Sequence, residues 1–392
     1  TSQILKARAG GDDGYAHNVI ISSMTIDGVN TPINSTCAAT GCKDPGNGYV
    51  NAGYYAQWAV WDREYNPNSM PFASINDIIY AFIGFDKDTG NLASLDGNAD
   101  SWSIPVVSKA ILQNPYMHAH LSFGGWTNNQ VNTAPMFLKL SSSQASMQNF
   151  ATQAVALMKK TKFSGLDIDW EWWSEPEQAP AKQMLSFYKI LRAELDKAGA
   201  ADGKHYTLTI AVNAGVDRVN AMQDPSNPNS VADYWKQVNT LVDQINLMSY
   251  DYHGAYDNSK PAYFHANYDF ANIPLDKQAD VGQTSGWSIK AVVAAYQANG
   301  ITAKKLVLGL HAYARTMSVS GGTNGGLLQA VSGAGFGDYE AGVLDYKCLV
   351  NPVADKANGC KNVSAGLSDL VFYNSKATGT ALSAFNTYGR DA

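Results

Sequence analysis

Between Ser164 and Glu171 the chain reads Ser-Gly-Leu-Asp-Ile-Asp-Trp-Glu. Few backbones can hold that run. The acids Asp167, Asp169 and Glu171 fall at every second position, and Leu166, Ile168 and Trp170 fill the gaps. A strand puts all three carboxylates on one face, because its side chains alternate with period two. The opposite face is then wholly apolar and needs a covering layer. An exposed antiparallel strand would give the acids to solvent, but the neighbours on both faces point to a buried parallel strand. Enclosed carboxylates this close cannot all ionise, so one or two must have a raised pKa. A purely structural role would be an odd use of that free energy.

The surroundings of the run repeat. Short apolar segments at Asn51–Ala59, Asp77–Asp86, Met117–Gly124, Gly165–Trp172, Tyr206–Ala214, Gln244–Tyr252 and Lys305–Tyr313 alternate with amphipathic stretches. Among the latter, Ala145–Lys160 carries Met147, Phe150, Ala154 and Leu157 at helical spacing. Ala179–Ala198 places Met184, Phe187, Leu191 and Leu195 on one face, with Gly199 as its expected C-cap. Ser288–Asn299 repeats the design before Gly300. Strand-then-helix units in series predict a parallel sheet, and the buried acids favour a closed (β/α)8 TIM barrel over an open sheet. The expected organisation is an irregular N-terminal extension over 1–48 and barrel strands one to seven over 49–314. An inserted α+β lobe over 315–388 and a truncated return to the barrel over 389–392 complete it. No convincing eighth apolar run appears before Ala392, so the eighth strand is expected to be absent from this chain.

Composition narrows the partners. The chain has 392 residues, 45% hydrophobic, with a formal net charge of −6. With no basic excess to neutralise phosphates, nucleic acid is not an expected partner. No segment reaches the roughly 18 apolar residues that a membrane span needs. The four cysteines form two local pairs, Cys37 with Cys42 and Cys348 with Cys360, in Gly/Asn-rich loops without histidines at zinc-ligand spacing. Two small disulfides in a secreted protein are the expectation. The glycosylation sequons at Asn34 and Asn362 are compatible with export. No phosphate-cradling glycine loop appears, and His118, His120, His253 and His311 show no metal spacing, so no cofactor and no metal is expected.

The run at 164–171 resembles the D-x-x-D-x-D-x-E signature of family 18 glycoside hydrolases, the chitinase family. Other segments agree in the same order. Leu121-Ser122-Phe123-Gly124-Gly125-Trp126 is similar to the family's S-x-G-G motif on strand three. Met248-Ser249-Tyr250-Asp251 is similar to the M-x-Y-D motif of strand six. Gly53-Tyr54-Tyr55 and Tyr80-Ala81-Phe82 match strands one and two, and Gly309 to Arg315 resembles the strand-seven segment. The resemblance runs from about Tyr49 to Tyr388.

That resemblance implies a chitinase acting on chitin or chito-oligosaccharides by a retaining, substrate-assisted mechanism, an exception to the two-carboxylate scheme. Glu171 is the implied acid/base, and the nucleophile is the acetamido oxygen of the substrate. Asp169 orients that group, Asp167 is the signature's middle carboxylate, which in the family can share a proton with the first Asp, and Tyr250 donates to the acetamido from the other side. Met248 and Asp251 shape the sugar pocket. Gly124 and Gly125 allow close backbone approach, while Trp126, Trp172, Tyr54 and Phe82 are candidate sugar contacts. Arg315 either touches substrate or braces the inserted lobe.

Two departures stand out. The first Asp of the signature is Ser164 here, which can hydrogen-bond but cannot carry an alternative charge, so a shifted pH profile is expected. The family's strand-eight Trp has no counterpart after Trp287, the last Trp of the chain. Three alternatives stay open at this point. One is a catalytically weak chitin-binding lectin or inhibitor on the same barrel, and another is a subunit of a larger assembly such as a toxin complex. The third is an endo-β-N-acetylglucosaminidase acting on glycoproteins.

Overall fold

The computed structural model describes residues 23–26, 29–32, 44, 46, 48–128, 130–172, 178–258, 260–270, 273–319, 326–335, 337 and 339–346. The four cysteines, both sequons and the expected return at 389–392 lie outside the described residues. The described parallel strands are β1 (Ala52–Ala56), β2 (Asp77–Ala81), β3 (His118–Gly124), β4 (Gly165–Asp169), β5 (Thr207–Asn213), β6 (Gln244–Met248) and β7 (Leu306–Leu308). Helices α1 (Gly97–Gln113), α2 (Gln144–Thr161), α3 (Ala181–Asp202), α4 (Tyr234–Leu241) and α5 (Ile289–Ala298) alternate with them. This is the strand succession of a (β/α)8 barrel. Each strand starts close to its predicted position, and most end several residues earlier.

The chain divides into two compact units, Thr1–Trp170 with Lys189–Thr209, and Glu171–Tyr188 with Ile210–Ala392. In the first, β1 pairs parallel with β2, β2 with β3, and β3 with β4. The register sets Gly165 against His120, Asp167 against Ser122, and Asp169 against Gly124. Leu166, Ile168 and Trp170 are buried, and Trp170 stacks on Phe137 with centroids 4.9 Å apart. Phe137 belongs to the helix Thr133–Ser141, so the apolar face of the run meets a helical layer as the alternation requires.

In the second unit β6 pairs parallel with β7, with Ile245 against Leu306 and Leu247 against Leu308. Past Tyr313 the pairing turns antiparallel: Tyr313–Arg315 lies against Val343–Asp345, and Met317–Val319 against Val331–Ala334.

The helix ends explain themselves locally. Ser143 caps α2 by accepting from Ser146 N, and Ser288 caps α5 by accepting from Ala291 N. The expected stop of α3 at Gly199 is wrong, since that helix runs on to Asp202 and closes at Gly203, whose φ is +67°. Gly199 serves packing instead. A Cβ there would sit 2.4 Å from the Lys204 carbonyl oxygen, which glycine leaves clear.

Candidate active site

The first unit carries seven of the predicted residues: Tyr54, Phe82, Gly124, Gly125, Trp126, Asp167 and Asp169. Asp167 is fully buried on β4 and accepts from Ser122 Oγ at 2.7 Å and from Thr209 Oγ1 at 2.5 Å. Burial pushes its carboxyl up, while the two hydroxyls and His120 pull it down. Asp169 is the last residue of the strand and is also buried.

Gly124 has a φ of +122° and Gly125 one of +79°. Gly125 N donates to Asp169 O at 2.9 Å, so these glycines fold the end of β3 tightly over the end of β4. A Cβ on Gly125 would lie 2.4 Å from the Phe82 ring. The pair is therefore required by the protein's own packing, whatever it offers a ligand. Thr133 Oγ1 donates to the Gly125 carbonyl and holds the turn.

Phe82 is buried and stacks with Trp58, with ring centroids 6.1 Å apart and planes 25° apart. Trp58, Tyr54 and Trp126 are each about half exposed. Trp58 is a half-exposed aromatic that the sequence reading did not single out. It falls inside the predicted strand Asn51–Ala59, but β1 stops at Ala56 and Trp58 stands in the short 3-10 turn Gln57–Val60. Its place just past a strand's carboxyl end was the available signal.

The second unit carries Glu171, Trp172, Met248, Tyr250, Asp251 and Arg315. The alternation predicts Glu171 on the strand, whereas β4 ends at Asp169 and Glu171 stands two residues beyond it. Glu171 is partly buried, and its carboxyl is pushed up to about 7, first by burial and then by the charge of Asp251. Trp172 is buried, its carbonyl accepts from Asn213 Nδ2 at 3.2 Å, and the Arg218 guanidinium lies over its ring at 5.3 Å. One face of that indole is thus already covered.

Asp251 has a left-handed backbone, with φ +60°. Arg315 clamps its carboxylate through Nε at 2.8 Å and Nη2 at 2.7 Å, a bidentate pairing. Burial would raise the Asp251 carboxyl, but hydrogen bonds and charge from Arg315, with help from His265 and Tyr313, hold it well below the ordinary carboxylate range. Tyr256 donates to the Asp251 carbonyl at 2.5 Å, and the Arg315 guanidinium lies 5.3 Å from its ring centroid. Tyr250 meets Tyr313 edge to face at 6.2 Å, and Met248 closes β6. Arg315 therefore anchors Asp251. Asp251 in turn adds to the rise that burial causes in Glu171.

Among the described residues, no group of three or more His, Cys, Asp or Glu side chains is placed to hold a metal ion. No described helix is long and apolar enough to cross a membrane.

The profile described as "Glycosyl hydrolases family 18" matches residues 50–381. Chitinase 1 of Aphanocladium album is 30% identical over 383 residues, covering 92% of this chain and 82% of that protein. Endochitinase 1 of Metarhizium robertsii is 30% identical, covering 91% and 82%. Among solved structures, an immunomodulatory active chitinase from Trichuris suis superposes with a TM-score of 0.64 at 22% identity, covering 78% of each chain. A class V chitinase from Nicotiana tobaccum gives 0.63 at 20% identity, covering 83% of this chain and 82% of that one. These likenesses show the fold, a (β/α)8 barrel of which seven strands are described here.

Proposed function

Because the chain belongs to glycosyl hydrolase family 18, we propose that it is a chitinase that hydrolyses β-1,4-linked N-acetylglucosamine polymers with retention of configuration. Glu171 carries this reading. It is a partly buried carboxyl just past the end of an acid-bearing strand, pushed up to about 7 and so able to hold a proton near neutral pH. Glu171 protonates the glycosidic oxygen while the substrate's acetamido oxygen attacks the anomeric carbon. Glu171 then deprotonates the water that opens the oxazolinium ion. Asp169 orients the acetamido N–H and balances the positive charge, with Asp167 behind it. Tyr250 donates to the same group, and Met248 and Asp251 border the pocket. Tyr54, Phe82, Trp126 and Trp172 are the sugar-contacting aromatics of this reading, to which the half-exposed Trp58 is added.

The lectin alternative is not favoured, since a binder has no need of Glu171, Asp169 and Tyr250 together. A secreted location and two local disulfides, Cys37 with Cys42 and Cys348 with Cys360, belong to the same proposal and rest on cysteine usage alone.

The direct test is proton NMR of chitotetraose digestion in its first minutes. The new reducing end should appear as the β-anomer and only later equilibrate. An α-anomer as first product would sink the substrate-assisted scheme.

A second test rests on the Asp251 charge. Asp251→Asn removes a negative neighbour of Glu171 and releases the Arg315 cation, and both favour the ionised Glu171. The basic limb of kcat/KM, which reports the free-enzyme acid, should move to lower pH by about half a unit to one unit. A limb that stays in place or moves up would show that Asp251 does not act on Glu171.

A further inference from the structure

Glu171 and Trp172 stand past the end of β4 and lie in no strand or helix. A carboxyl that must meet a scissile bond at one fixed place is thus carried by a segment that needs support from elsewhere. Neighbours within the second unit supply it. Asn213 is the last residue of β5, and its Nδ2 donates to the Trp172 carbonyl at 3.2 Å. A carbonyl oxygen only accepts, so the nitrogen end of the amide is the end that can face it. The Arg218 guanidinium lies 5.3 Å from the centroid of the Trp172 ring. Trp172 is therefore held at its main chain by one element and at its side chain by another.

Each hold is itself anchored. The Asn213 carbonyl accepts from Tyr296 Oη at 2.8 Å, and Tyr296 is buried on α5. Tyr296 in turn meets Trp235 of α4 edge to face, with ring centroids 4.7 Å apart. Asn213 accordingly stands on packed scaffold. Arg218 belongs to the short helix Val216–Ala221, where its Nε lies 3.7 Å from Asp217 Oδ2. Asp217 also accepts from Trp287 Nε1 at 2.9 Å. Gly215 leaves room for that bond, since a Cβ there would lie 2.6 Å from Asp217 Oδ1 and 2.7 Å from Trp287 Nε1.

We propose that Asn213 is a positioning residue for the reaction: its amide, with Arg218 bracing the indole, holds the Glu171–Trp172 segment so that the Glu171 carboxyl stands where it can deliver its proton. The inference rests on the chitinase reading above. Successive Cα atoms are about 3.8 Å apart across a planar peptide, so a displacement of Trp172 passes to Glu171 with little loss. A misplacement of about 1 Å at a reacting group can cost about 10²-fold in rate. The amide suits this place because it gives the carbonyl a donor and adds no charge.

The test is a double-mutant cycle between Asn213 and Glu171. Asn213→Leu keeps the size of the side chain and removes the donor, and should lower kcat on chitotetraose about 10-fold. In a Glu171→Gln background the same substitution should change kcat by less than about twofold, because the residual reaction no longer uses the carboxyl that Asn213 positions. A structural role alone would lower both backgrounds by the same factor. Equal losses in the two backgrounds, or an unchanged kcat in a folded Asn213→Leu variant, overturn the proposal. A loss confined to KM also overturns it, since Asn213 would then serve sugar contact at Trp172 and not the acid. Asn213→Ala removes the donor without bulk, and the cycle built on it decides if the Leu variant does not fold. Glu171→Gln by itself judges the chitinase reading. If it is as active as the wild type, the assignment of the catalytic acid fails, whereas equal losses beside a disabled Glu171→Gln refute the role of Asn213 alone.

Discussion

Glu171→Gln should lower kcat on chitotetraose by about 10²–10⁴-fold, the usual contribution of a positioned general acid and base. The substitution keeps the size and hydrogen-bonding capacity of the side chain and removes only the transferable proton. KM should change little, because the aromatic and backbone contacts to the sugar remain. A barrel that merely binds chitin would show the same residual release of reducing ends with either residue, and that equality would remove Glu171 from the mechanism. The wild-type protein should also lose activity as pH rises through about 7, where Glu171 gives up its proton, and the variant's residual activity should lack that limb. The two measurements together distinguish a lost proton donor from a disturbed fold.

Gly124→Ala should strongly destabilise the first unit. The backbone there is at φ +122°, and a Cβ would lie 2.0 Å from the Asp169 carbonyl oxygen and 3.0 Å from the Phe137 ring. The first contact is with a backbone oxygen, so no neighbouring side chain can rotate to relieve it, and the ends of β3 and β4 must part. Left-handed strain and overpacking each cost about 1–3 kcal/mol, so a loss of about 4 kcal/mol is expected from urea unfolding. Gly97→Ala is the control. It opens α1 at an ordinary φ with the nearest atom, Ser94 Oγ, 3.9 Å away, and should stay within about 1 kcal/mol of the wild type. Equal stability of the two variants would mean that the β3–β4 turn can relax in a way the register does not suggest.

Much of the site could be read without coordinates. The alternation at 164–171 placed Leu166, Ile168 and Trp170 on a helix-covered face and Asp167 and Asp169 inside, as the structure has them. Strand starts were legible because apolar runs begin sharply. Strand ends were not, because the residues beyond them stay aromatic or apolar in the site loops. Trp58 and Glu171 accordingly fall past the ends of strands that the pattern had extended over them. Gly199 looked like a helix stop because glycine commonly marks one. Its actual reason, the approach of the Lys204 carbonyl, depends on a turn five residues further on. Arg315 was ambiguous in sequence, and its clamp on Asp251 spans 64 residues.

Sequence alone determined the properties that the geometry of one chain segment imposes: the two-residue period of a strand, the shared face of its acids, and the serial order of motifs that marks the family. Only the tertiary structure decided which groups stand opposite those acids. Ser122 and Thr209 reach Asp167, Asp77 and Thr207 fix His120, and Arg315 holds Asp251, each across a separation of more than 40 residues. Periodicity is a local property of the backbone and is written in every window of residues. Sheet register and loop return are not local. They set the neighbours whose charge and hydrogen bonds decide which carboxyl holds its proton.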